Sequence, residues 1–143
     1  MDNINNHINH FLDYADTHTY DKLTYHNSDM HIWVHTDAPY LTETKSISRA
    51  GGYHYFSNKT KNFIQPYDPP PKHNHPVPVL FKVIDAVMIS TQESEIGGGY
   101  IRSKEALPIR QTAIEMVHPQ KITPLQFDNK CAYDILTGVL KKI

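Results

Sequence analysis

Six prolines fall between Pro66 and Pro78, and each one holds φ at about −65° and removes a backbone donor. No central strand or long helix can pass through such a segment, so it predicts a long, stiff surface loop. Regular structure must then be built from the stretches on either side. With 143 residues the chain has material for one domain with a real core and too little for two.

Before the prolines, Ile4, Ile8, Phe11, Leu12 and Ala15 recur at steps of three and four, which predicts an amphipathic helix over about 3–15 whose stripe needs a partner surface. Met30 to Thr36 is rich in β-branched and aromatic residues and stops at Asp37-Ala-Pro39, the pattern of a buried strand ending in a turn. Ser48 to Phe56 reads as a second strand, with Gly51 and Gly52 permitting close backbone approach or a bulge.

After the prolines, Val79 to Ser90 predicts a third strand with an irregularity near Asp85. Thr91 to Val117 turns helical, with Ile96, Tyr100, Leu107, Ile114 and Val117 near one face and Pro108 expected to break or kink it. Gly97, Gly98 and Gly99 each cost such a helix roughly 1 kcal/mol relative to alanine. Ile122 to Phe127 is a short strand candidate and Ala132 to Leu140 a closing helix, so the class is α/β.

A formal net charge of −1 lacks the basic excess by which a self-sufficient nucleic-acid binder neutralises phosphates, so a nucleic-acid function would lean on metal ions and on basic surface from another domain. Ten histidines would make the chain cationic below about pH 6.5. A single cysteine, Cys131, forms no internal disulfide and points to a reducing, intracellular compartment, with the cytoplasm expected. Residues 1–6 carry neither the basic start nor the apolar stretch of a secretory signal, and no segment approaches membrane-spanning length.

Three carboxylates stand at the edges of apolar segments: Asp37 in His-Thr-Asp-Ala-Pro-Tyr-Leu, Glu95 in Gln-Glu-Ser-Glu-Ile-Gly, and Asp128 in Gln-Phe-Asp-Asn-Lys-Cys-Ala. Taken singly, the aspartates read as turn or N-cap residues, and Glu93 and Glu95 as first-turn acids favoured by the helix dipole. Taken together, carboxylates on separate rigid elements can hold two hard divalent cations about 4 Å apart, provided the strands ending at Asp37 and Asp128 are adjacent and parallel.

Their contexts carry more. Phe11-Leu-Asp-Tyr-Ala15, Ser28-Asp-Met30, His35-Thr-Asp37-Ala-Pro-Tyr-Leu41, Ser48-Arg-Ala-Gly-Gly52, Glu93-Ser-Glu95-Ile-Gly97, Arg102 through Glu105-Ala-Leu-Pro-Ile-Arg110, Met116-Val-His-Pro119 and Asp128-Asn129 occur in order over nearly the whole chain. The set resembles the ribonuclease H domain of copia-type retrotransposon polyproteins. The resemblance implies a ribonuclease H-like mixed sheet flanked by helices. It implies magnesium or manganese held by Asp37, Glu95 and Asp128, with Glu93 a neighbour of the site. The implied reaction is hydrolysis of the RNA strand of an RNA–DNA hybrid during reverse transcription.

By the same resemblance, residues 1–20 are the end of a connection to a reverse transcriptase region, the implied protein partner, and 21–143 are the ribonuclease H-like domain. The family's last strand and a helix bearing a fourth acid have no counterpart before Ile143. That departure, with glycines at 98 and 99, supports an alternative reading as a catalytically inactive remnant or a docking module of such a polyprotein.

Other chemistry has weaker support. His73 and His75, with His54 or His118, could ligate a metal, but no cysteine or acid stands at zinc-site spacing, and solvated loop histidines are expected. Pro69-Pro-Pro71 reads as a rigid connector before a polyproline ligand. Cys131 is read as core, Trp33 and Tyr53 as core before base-stacking groups, and Lys141 and Lys142 as a basic helix end.

Overall fold

The computed structural model describes residues 2–42, 47–58 and 74–138. Its elements are α1 (Asp2–Thr17), β1 (His31–Asp37), β2 (Arg49–Ser57), β3 (Val79–Val83), α2 (Thr91–Glu115), β4 (Leu125–Phe127) and α3 (Lys130–Leu136). The strands form one mixed sheet in the order β3-β2-β1-β4. β1 runs antiparallel to β2 and parallel to β4, while β2 runs antiparallel to β3. Helices α2 and α3 pack against it, and the chain is an α/β protein.

β1 is central because almost every side chain in it is buried: Ile32, Trp33, Val34 and Thr36 have almost no exposed surface. Ile32 and Val34 face Ala106 of α2, whereas Trp33 stacks on Tyr55 at 6.1 Å. Tyr53, expected in the core, is half-buried and stacks on His35.

The expected third strand ends at Val83. The Ile84 N–H still donates to the Ser48 carbonyl at 2.9 Å, and its buried side chain joins Ala38 and Ala50 under α2. Most of the proline-rich segment, with His73 and Pro69–Pro71, lies outside the described residues. Its final residues are stitched down. Asn74 accepts from the His26 N–H at 2.7 Å and donates to the His26 carbonyl at 3.0 Å, and the His54 N–H donates to the Pro78 carbonyl at 3.1 Å. His75 stands edge-on to Tyr25.

A short parallel strand such as β4 has few ladder bonds to set its position, and two side chains supply the rest. The Ile32 N–H donates to Gln120 Oε1 at 3.0 Å and Gln120 Nε2 donates to the Met30 carbonyl at 2.8 Å, a side-chain substitute for one more strand residue beside β1. Arg110 donates to the carbonyls of Gln120 and Lys121 and to Thr123 Oγ1. The approach to β4 is thereby tied to α2.

The buried face of α2 differs from the one its apolar spacing predicts. Ser94, Glu95, Gly98, Gly99, Arg102, Ala106 and Ala113 point inward, while Tyr100, Leu107, Ile114 and Val117 are exposed. Small residues win because the helix lies unusually close to the sheet. A Cβ on Gly98 would stand 2.7 Å from the Ala38 Cβ, and one on Gly99 would stand 2.5 Å from Phe127 Cζ. The glycines therefore cost helix propensity and permit contact that no larger residue allows. Nor does Pro108 break α2, which runs through it. Proline and Lys104 are both exposed, so water can reach the carbonyl that loses its partner.

α3 starts at Lys130, two residues before its expected start. Asn129 caps it, accepting from the Ala132 N–H at 3.1 Å. Ala132 is its buried residue and Cys131 is exposed, so the expectation of a core cysteine is corrected: the helix presents position 132 inward. Residues 139–143, with Lys141 and Lys142, lie outside the described residues. α1 forms as expected but, among the described residues, packs against no other helix or strand.

Two outcomes follow. Gly98→Ala gains helix propensity worth about 1 kcal/mol but drives its Cβ into that of Ala38, and overpacking costs about 1–3 kcal/mol; urea unfolding will therefore show net destabilisation. His54 is fully buried with Nε2 3.2 Å from the Arg102 carbonyl, and burial, helped by the Arg102 charge, pushes its pKa below 6.5. Its folded form prefers to be neutral, so the stability it confers is complete above pH 6.5 and drains away as pH falls from there toward the lower folded value. His54→Gln will flatten that part of the urea-stability profile.

Candidate metal centre

The parallel register pairs Thr36 with Phe127, so Asp37 and Asp128 each follow the last ladder pair by one residue. Both leave the same end of the sheet. Across β1 the opposite neighbour of Asp37 is Gly51, and the ring of Phe81 lies over that glycine, 3.0 Å from where a Cβ would stand. The first turns of α2 cross above this edge. Carboxylate oxygens of Asp37, Glu95 and Asp128 lie within 4.8 Å of one another.

The beginning of α2 separates the two glutamates by role. Ser90 is the N-cap and its hydroxyl accepts from the Glu93 N–H at 3.1 Å, while Glu93 Oε2 accepts from the Ile89 N–H at 2.8 Å. Glu93 is thus consumed in a reciprocal cap. Two residues on, Glu95 points inward and is 4% exposed.

Glu95 is the electrostatic focus. Burial is the main reason its pKa rises to about 7, and the negative charge of Asp128, with a smaller push from Asp37, adds to it; the Ala38 N–H donates to the carboxyl and opposes the shift. Its Oε2 is buried with no hydrogen-bond partner among the described residues. A buried carboxylate oxygen without a donor is costly, and two exposed aspartates beside it offer only repulsion. A divalent cation bound by oxygen ligands removes both problems at once.

Among the described residues this trio is the group of acidic, histidine or cysteine side chains arranged to hold a metal. His54 is committed to the Arg102 carbonyl, and His75 to the ring of Tyr25. Neither joins such a group. Reading residues alone missed the Ala38 N–H as a donor to Glu95 and Gly98 as the reason α2 comes close enough. The adjacency of Ala38 to Asp37 and the i+3 spacing of Gly98 from Glu95 were the signals available. Compared with family models, curated proteins and solved structures, the chain has no match.

For Glu95 the folded pKa of about 7 exceeds the ordinary 4.5, so the folded protein binds the proton more tightly than the unfolded chain. Its contribution to stability is complete below pH 4.5 and lost as pH rises through about 7. In the presence of a chelator, Glu95→Gln will be more stable than the parent at pH 8 by about 1–2 kcal/mol, after allowance for solvent screening at the open rim. At pH 4 the two will unfold at the same urea concentration.

Proposed function

We propose that the chain is a metal-dependent nuclease of the ribonuclease H type, hydrolysing the RNA strand of an RNA–DNA hybrid. The convergence of Asp37, Glu95 and Asp128, with a buried and unpartnered Glu95 oxygen among them, carries this reading. A mixed sheet in the order β3-β2-β1-β4, with one aspartate ending the central strand and another ending its parallel neighbour, is compatible with a ribonuclease H-like fold. The ordered sequence motifs give it its substrate.

The donor set suits magnesium or manganese, since all three acids are hard carboxylates and, among the described residues, no imidazole or thiolate joins them. Such ions, when bound, supply Lewis acidity that activates a water and stabilises the leaving oxygen of a phosphodiester. The protein's part is to hold and orient. Asp37 and Asp128 present carboxylates from rigid strand ends, Glu95 supplies the buried third, and the Ala38 N–H keeps Glu95 turned toward them. Discrimination for RNA would come from its 2′-hydroxyl and the shape of the hybrid, with little from base edges.

A second reading has its own observation. Ile4, Ile8, Phe11 and Leu12 form an exposed stripe on a helix that packs on no other described element, which suits a docking module of a larger polyprotein with a reverse transcriptase domain as its partner.

Purified protein given labelled RNA–DNA hybrid with manganese is expected to shorten the RNA strand. Asp37→Asn and Glu95→Gln should each lower the rate at least about 100-fold, the scale of losing one essential element of transition-state stabilisation. Cleavage that persists unchanged in both variants would refute the site, and absence of cleavage with normal folding would favour the docking reading.

A further inference from the structure

Glu95 reaches the two aspartates only if α2 sits at one height along the sheet. Most of its inward face is glycine, serine and alanine, side chains too short to key it to the sheet by polar contacts of their own. One residue on that face is different. Arg102, seven positions beyond Glu95 and hence on the same side of the helix, has 0% of its surface exposed.

Burying a guanidinium carries a heavy desolvation cost, and an apolar side chain of similar volume would serve packing as well or better. What the guanidinium offers instead is direction, since its donors are fixed in a rigid planar fork. Nη2 donates to the Ala50 carbonyl at 2.5 Å and Nη1 to Glu105 at 2.5 Å. The side chain passes over Gly52, where a Cβ would stand 3.2 Å from Arg102 Cδ. The Arg102 carbonyl in turn lies 3.2 Å from His54 Nε2 on the same strand. Ala50 is adjacent to Gly51, the register partner of Asp37.

We propose that Arg102 is a positioning residue: by clamping α2 to the Ala50 carbonyl of β2, it sets the height of the helix and holds Glu95 opposite Asp37 and Asp128. This rests on the reading of the three acids as a metal site. A displaced α2 would weaken the interaction of the Ala38 N–H with the Glu95 carboxyl, seven residues along the helix from the clamp.

The test compares Arg102→Met/Glu105→Gln, which removes the clamp without stranding a charge, with Arg102→Lys and with Ala113→Gly. Ala113 is buried on the same face of α2, four turns or more from Glu95 in sequence, and its change weakens helix packing without touching the clamp. Two readouts are taken on cooperatively folding protein: manganese affinity by calorimetry, and the shift and exchange protection of the Ala38 amide in metal-free protein by NMR. The double variant is expected to lose affinity about tenfold, as when a group supporting a ligand is removed, and to lose Ala38 protection. Arg102→Lys should fall between it and the parent. Ala113→Gly should keep both signals at equal or greater loss of stability.

Unchanged affinity and Ala38 protection in the double variant would overturn the proposal, as would equal losses in Ala113→Gly. If the parent binds no manganese, the metal reading fails by itself, and the Ala38 amide still decides whether Arg102 positions Glu95.

Discussion

The parallel pairing of β1 with β4 is the constraint on which the candidate site depends. Val34, His35 and Thr36 pair in order with Leu125, Gln126 and Phe127, and only that direction brings Asp37 and Asp128 out at the same end. Parallel neighbours cannot be joined by a tight turn and require a crossover. Here the crossover contains β2, β3 and α2, so the helix that bridges back to β4 is also the one whose first turns pass over the two aspartates. The topology that places the pair also delivers the third acid. Because β4 has only three residues, its register is protected by side chains: Gln120 lengthens the edge of β1, and Arg110 fixes the segment that leads in.

The second requirement is close approach, and it explains features of α2 that look unfavourable one at a time. Three consecutive glycines, a buried arginine and an internal proline all lower the intrinsic stability of a helix. Each has a local reason. Gly98 and Gly99 clear Ala38 and Phe127, Arg102 reaches a strand carbonyl, and Pro108 lies on the exposed side. A helix chosen for propensity would stand further from the sheet, and a glutamate on it would fall short of Asp37.

Much of this was legible in the residues because apolar alternation and turn chemistry are local. The strand ending at Asp37, the strand ending at Asp128 and the helix carrying Glu95 all follow from such patterns, whereas Glu95 was set apart from Glu93 only by the family resemblance, and the Ser90 cap that occupies Glu93 is seen in the structure. What was not legible is tertiary. Tyr100, Leu107, Ile114 and Val117 mimic a core stripe, but the face that is buried was selected by space, and space depends on Ala38, Ala50 and Phe127 from elsewhere in the chain. Cys131 and Ala132 differ by one position, which on a helix is a rotation of about 100° and decides burial. Val79 to Ser90 keeps its apolar character past Val83, and only the bend at Asp85-Ala86 shows where pairing ceases.

The uneven burial of the three acids has a physical consequence. Asp37 and Asp128 are exposed and Glu95 is not, so the aspartates stay solvated whether or not a cation is present, and the cost of an empty site falls on one side chain. That side chain is the one whose proton affinity rises, and protonation is the way a buried carboxyl lowers this cost when no cation is near. A divalent ion bound here would therefore compete with a proton for the Glu95 carboxyl. The fold tolerates the cluster in the absence of metal because a single proton on Glu95 relieves both its burial and its repulsion from Asp128. A cation proposed for this cluster would have to displace that proton, and the exposed aspartates are the side from which water and ions can reach it.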